Sequence, residues 1–125
     1  MSDMNAVNWF EIPVSNMDRA ATFYNAVLET EVQINQMGPM TMGWFPWKEG
    51  APGSAGSLVQ GEGAVPSQTG SLVYFSCGND LQPTLDRVVA NGGAVMMPKT
   101  SIGEFGFIAR FEDTEGNMVA LHSSN

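Results

Sequence analysis

The second half of the chain re-reads the first at a shift of 63 residues, about half of its 125-residue length. Trp9-Phe10-Glu11-Ile12-Pro13-Val14 falls on Leu72-Val73-Tyr74-Phe75-Ser76-Cys77, and the helical run Met17 to Leu28 falls on Asp80 to Asn91, slipped by at most one residue. Gly43-Trp44-Phe45 falls on Gly106-Phe107-Ile108, and Ser57-Leu58 on Ala120-Leu121. A period this long exceeds a solenoid unit and is too short for an independent domain, so it points to one domain of two similar modules. Paired modules enclose a space between them. What their facing strands offer to that space sets the chemistry.

Local patterns give each module the same elements. Residues 7–14 read as a strand with Pro13 near its end, where a missing N–H is tolerated. Ser15, three residues before Asp18, reads as a shortened capping box, and Met17, Ala21, Tyr24, Val27 and Leu28 recur at helical spacing over 17–28. Val32 to Ile34, Met40 to Trp47 and Gly56 to Gln60 are extended, with turn-forming residues 48–54 between the last two. A glycine-rich linker over 61–70 separates module one, about residues 5–60, from module two, 71–125, within a single domain 1–125.

In module two a strand at 71–77 leads to a helix whose inward face is Leu81, Leu85, Val88 and Val89. Pro83 lies in its first turn and Gly92-Gly93 at its end. Ala94 to Pro98, Phe105 to Phe111 and Met118 to His122 are the remaining strands. Thr114-Glu115-Gly116-Asn117 is a hairpin turn, with Gly116 and Asn117 suited to positive φ and no chemistry of its own. Both modules therefore read β-α-β-β-β, an α+β fold.

Charge and cysteine content remove several classes of function. Thirteen acidic residues against five basic ones give a net charge of −8, which repels phosphate backbones and anionic lipid, so neither nucleic acid nor membrane is expected as a partner. No apolar run approaches the roughly 18 residues of a membrane span. Met1-Ser2-Asp3-Met4-Asn5 lacks the basic start and apolar middle of a signal peptide, which leaves the cytoplasm as the expected location. Cys77, the only cysteine, excludes an intrachain disulfide, and its apolar run marks it as an inert buried thiol.

The run Phe10-Glu11-Ile12-Pro13-Val14-Ser15-Asn16-Met17-Asp18-Arg19-Ala20-Ala21-Thr22-Phe23-Tyr24-Asn25-Ala26-Val27-Leu28, together with Asp113-Thr114-Glu115-Gly116-Asn117, resembles the vicinal oxygen chelate superfamily. That group includes glyoxalase I, bleomycin- and fosfomycin-resistance proteins, methylmalonyl-CoA epimerase and extradiol dioxygenases. The resemblance implies two βαβββ modules forming a half-barrel cleft, and a homodimer. It also implies metal ligands at the start of each module's first strand and on its last strand, which here are Trp9 and Leu72, Ser57 and Ala120. None is a usual metal ligand: indole N–H only donates, Leu and Ala carry no donor atom, and a lone hydroxyl is a poor ligand.

The expectation is a small-molecule-binding protein of the glyoxalase/bleomycin-resistance type with its metal positions vacant and no cofactor. Strand alternation puts Trp9, Glu11 and Pro13 on one face, with Leu72, Tyr74 and Ser76 opposite and Ala120 and His122 sharing their parity. Trp47 and Ser57 complete the candidate ligand-binding set, in an apolar pocket suited to a small organic molecule. Glu11 is the candidate catalytic base if desolvated, with Arg110 or Tyr74 as a partner, and Arg110 and Lys99 are candidates for an anionic ligand group. One alternative is a metal-dependent lyase, isomerase or dioxygenase with Glu11 and His122 as displaced ligands of a divalent metal. Another is a non-catalytic interaction domain.

Overall fold

The computed structural model describes residues 4–125, so Met1-Ser2-Asp3, part of the stretch read against a signal peptide, lies outside the described residues. The chain forms β1 (Glu11–Pro13), α1 (Met17–Leu28), β2 (Gln33–Met37), β3 (Met40–Trp44), β4 (Ser57–Gln60), β5 (Tyr74–Ser76), α2 (Gln82–Ala90), β6 (Ala94–Ser101), β7 (Phe107–Glu112) and β8 (Met118–Ser123). A 3₁₀ turn over Gly103–Phe105 precedes β7. Two four-stranded sheets result, ordered β1-β4-β3-β2 and β5-β8-β7-β6, so each module is βαβββ as the repeat predicts.

The repeat extends to individual hydrogen bonds. Phe10 O accepts from Ser57 N at 2.9 Å and Val73 O accepts from Ala120 N at 2.9 Å; Val14 N donates to Val59 O at 2.8 Å and Cys77 N to His122 O at 2.8 Å. Each pair is related by 63 residues. The third strands are not: Gly43 pairs with Leu58 and Ala109 with Leu121, so β3 and β7 are related by 66 residues, and the alignment of Gly43 with Gly106 is corrected to Ala109. A longer excursion before β7 in module two absorbs the difference.

Several local readings change for physical reasons. The first strand of each module is a ladder of three residues, because β1 and β5 are edge strands with one neighbour each and Pro13 has no N–H to give. The cap of α1 is Asn16, whose side-chain oxygen accepts from Arg19 N at 3.0 Å; Ser15 stands one residue too early to reach it. On α2, Leu81, Leu85 and Val88 are buried while Val89 is 58% exposed, since it lies one residue round from the buried stripe.

The core lies between the helices and the inner faces of both sheets. Phe23, Tyr24 and Val27 of α1 and Leu85 and Val88 of α2 pack with Leu58, Phe111, Val119 and Leu121. An aromatic cluster joins the modules: Phe75 of β5 lies 5.6 Å from Phe10, 5.5 Å from Phe45 and 5.9 Å from Tyr24, centroid to centroid. Such pairs each contribute about 1 kcal/mol beyond their burial. At Gly43 a Cβ would come within 2.8 Å of both Met17 Sδ and Val32 Cγ1, so the close approach of α1 to β3 requires glycine.

Candidate functional site

Edge strands β1 and β5 bound a cleft of about 1340 Å³. Trp9, Phe10 and Glu11 line one wall, and Leu72 to Cys77 the other. Pro46, Lys48 and Pro52 to Ala55, from the loop between β3 and β4, complete it, together with Asn5, Ala6 and Val7. Aromatic and aliphatic side chains make up much of the walls, with Asn5, Glu11, Lys48, Ser71, Tyr74 and Ser76 among the polar points. The mixture suits an organic molecule with few hydrogen-bonding groups.

Two rows of paired residues run outward from this cleft across the sheet faces turned away from the helices. In module one Glu11 pairs with Ser57 and Ser57 with Trp44. In module two Tyr74 pairs with Ala120, Ala120 with Arg110 and Arg110 with Met97. Alternation fixes these faces, because the intervening Ile12, Leu58, Phe75, Leu121 and Ala109 belong to the core. Ser57 and Ala120 are fully buried between larger neighbours, and Trp9 meets Trp44 edge-on at 6.4 Å.

Of the residues singled out from sequence, Trp9, Glu11, Leu72 and Tyr74 line the cleft. Ser57 and Ala120 sit on the floor of the adjoining rows, not in the cleft wall, and Ser57 Oγ has no hydrogen-bond partner among the described residues. Trp47 projects from the β3–β4 loop with 67% of its surface exposed, outside the cleft wall, because β3 ends at Trp44. His122, beside Ser76, lies outside the wall as well, its Nε2 2.7 Å from Phe105 O. Cys77 is half-buried, packed against the hydrophobic core and also lining the cleft, and burial pushes its thiol pKa up.

The hairpin turn taken as chemically silent ties the modules together. Glu115 accepts from Ser15 N and Asn16 N, each at 2.9 Å, and from Arg19 Nε at 2.6 Å, so one carboxylate holds the entrance to α1. Burial alone would raise the Glu115 carboxyl, but Arg19 and the two amides outweigh it and hold it below its ordinary value. Asp113 accepts from Tyr24 Oη at 2.6 Å and from Asn117 N at 2.9 Å, while Asn117 Nδ2 reaches Pro13 O at 2.7 Å. Only Gly116 of the turn takes positive φ (94°); Asn117 is buried with its side chain committed across the modules. The signal was there in Asp113 and in the Glu115 and Asn117 of the turn that follows it, but it named no partners.

The positions implied for metal ligands hold Trp9, Ser57, Leu72 and Ala120, and the displaced candidates Glu11 and His122 lie beside Ser57 and Ser76 in different sheets. Among the described residues no three His, Cys, Asp or Glu side chains converge.

Two βαβββ modules flanking a cleft define a glyoxalase-like architecture. Residues 6–121 match the family model "Glyoxalase/Bleomycin resistance protein/Dioxygenase superfamily", and the chain belongs to that superfamily. A "Glyoxylase-like domain-containing protein" from Didymella fabae is 28% identical over 124 residues, covering 92% of this chain and 91% of that one. A glyoxylase/bleomycin resistance protein/dioxygenase domain from Frankia sp. EAN1pec is similar in structure, with TM-score 0.76 and 17% identity over 98% of this chain and all of that one. TnmS3, an antibiotic binding protein from Streptomyces sp. CB03234, gives TM-score 0.64 and 24% identity with 100% of both chains covered. A glyoxalase I mutant (E144Q) from Zea mays gives TM-score 0.71 and 18% identity, but the 94% of this chain that matches spans only 46% of the maize chain. These structural likenesses concern the fold. No helix among the described residues is long and apolar enough to cross a membrane.

Proposed function

We propose that the protein binds a small, largely apolar organic molecule in the cleft between β1 and β5, without a metal. The observation that carries this is the composition of the cleft: Trp9, Phe10, Phe45, Leu72, Tyr74 and Phe75 line it, and indole, hydroxyl, leucine and alanine side chains stand where the superfamily's metal ligands are implied. The antibiotic-binding role of TnmS3, on the same fold, supports a binding rather than catalytic use. Glu11 then serves as a hydrogen-bond acceptor for the ligand. Homodimerisation in the cytoplasm belongs to the same reading, supported by the resemblance and by Ile34, Met37, Val95 and Met96 exposed on the edge strands β2 and β6.

The test has two arms on untagged protein: elemental analysis followed by titration with nickel, zinc, manganese and iron(II), and a melting-temperature screen of apolar organic compounds in EDTA. Compounds that raise the melting temperature in EDTA, with no stoichiometric metal uptake, are the expected result. Tight stoichiometric metal binding would replace this reading with the metal-dependent one through Glu11 and His122.

A further inference from the structure

We propose that the cleft selects a zwitterion, an apolar body whose amine meets Glu11 and whose neighbouring acid meets Lys48. This deepens the cleft-binding reading and rests on it. Glu11 and Lys48 line the cleft and are exposed there, and among the described residues of its walls they are the one acid and the one base. The ion pairs among the described residues join Arg19 to Glu115, Arg87 to Glu29 and Lys99 to Asp80. Neither Glu11 nor Lys48 takes part in these, and the two do not pair with each other. Thirteen acidic residues stand against five basic ones in this chain, so a lysine that faces a cleft without a carboxylate partner is available to an anion brought by a ligand. Arg110 and Lys99, the cations considered from sequence for that task, are not in the cleft walls: Asp80 engages Lys99 at 2.8 Å, and Arg110 pairs in register with the fully buried Ala120.

The two charges are held differently. Glu11 is fixed on β1, in register with Ser57 of β4. Lys48 stands on a turn of the β3–β4 loop, where its carbonyl accepts from Ala51 N at 3.2 Å and Gly50 takes φ of 77°. Pro46 and Pro52, on either side of it, also line the cleft and restrict the backbone there. The four-carbon stem beyond that braced turn stays flexible. A carboxylate on a strand therefore sets where the amine binds, and the lysine follows the acid beside it. Net charge favours a zwitterion over a simple ion. A plain anion is repelled by a chain of net charge −8, and a plain cation is drawn to exposed acids over the whole surface. A zwitterion meets neither effect at a distance and gains both contacts inside, where apolar walls strengthen them.

The experiment measures four naphthyl compounds by calorimetry in EDTA. Racemic 3-(2-naphthyl)alanine carries both charges, 3-(2-naphthyl)propanoate the acid, 2-(2-naphthyl)ethylamine the amine and 3-(2-naphthyl)propanamide neither. All four are expected to bind, the amino acid about fivefold tighter than either singly charged compound, the size of one partly exposed ion pair. Lys48→Met should bring the amino acid down to the affinity of the amine and leave the amine unchanged. Glu11→Gln should bring it down to that of the acid and leave the acid unchanged. Both side chains are exposed, so neither substitution disturbs the core, and circular dichroism checks the fold. An amino acid that binds no tighter than the amide or either singly charged compound overturns the paired charges and leaves the cleft reading in place. An advantage over the amine that survives Lys48→Met overturns the assignment to Lys48, and one over the acid that survives Glu11→Gln overturns that to Glu11. Binding of none of the four overturns both readings.

Discussion

Arg19 and Glu115 meet at 2.6 Å across the two modules, 96 residues apart in sequence, and the Glu115 side chain has no exposed surface. The same carboxylate satisfies the two backbone N–H groups that lead into α1. The contact ties the turn between β7 and β8 to the start of α1, which follows β1 after a three-residue link. Glu115→Ala should cost about 2 to 3 kcal/mol of stability, read as a lower denaturant midpoint, since it removes charge-assisted hydrogen bonds from a buried group.

Acid should weaken the same contact. The Glu115 carboxyl titrates below its ordinary value in the folded protein, so its contribution is present above the unfolded value and lost as pH falls through the folded one. The melting temperature should decline as pH drops through the low carboxylate range, more steeply in the wild type than in Glu115→Gln. Parallel curves for the two proteins would show that other groups govern acid unfolding.

Tyr24→Phe isolates the second tie. Burial, and then the neighbouring Asp113, raise the Tyr24 hydroxyl well above its ordinary pKa, so it is a neutral donor at all moderate pH values. Removing it leaves Asp113 with Asn117 and the Glu115 amide as its remaining partners. A loss of about 2 kcal/mol with an unchanged denaturant slope is expected.

Gly43 and its structural counterpart Ala109 give an internal control. Gly43→Ala puts a methyl group into Met17 and Val32 and should destabilise by about 1 to 3 kcal/mol. Ala109→Gly, in the equivalent position of module two, creates no clash and should cost about 1 kcal/mol or less. Urea denaturation of the pair measures the contrast.

Cys77 reports on the cleft it lines. With its pKa pushed up by burial, the thiol should react with iodoacetamide more slowly than a free cysteine at neutral pH, and faster as pH rises. An organic molecule in the cleft should slow the reaction further.

Most of the fold was legible because the two modules repeat the same alternation and helical stripe; the 63-residue shift reaches the individual hydrogen bonds of β1 with β4 and β5 with β8. It failed at β3 and β7, where strand pairing and not local pattern sets the register, and the offset became 66. Trp9, Glu11, Leu72 and Tyr74 line the cleft, but so do Phe10, Val73, Phe75 and Cys77 of the opposite parity, so alternation pointed to the two edge strands and not to one face of them. Trp47 does not line it, because the loop from residue 45 to 56 turns it outward. The roles of Asp113, Glu115 and Asn117 were hidden for a related reason: their partners Tyr24, Arg19 and Pro13 lie about a hundred residues away in the chain. Lys48 and Arg110 are the two cations outside the ion pairs of the described residues, which pattern in the sequence did not mark.

The most direct test of the cleft as a metal-free binding site is an amide-resolved NMR titration of ¹⁵N-labelled protein with 2-naphthoate in EDTA. Saturable shifts centred on β1 and β5, at Glu11, Tyr74 and Ser76, are predicted. Shifts that appear only on adding a divalent metal, or that map to β2, β6 or the helices instead, would contradict the account.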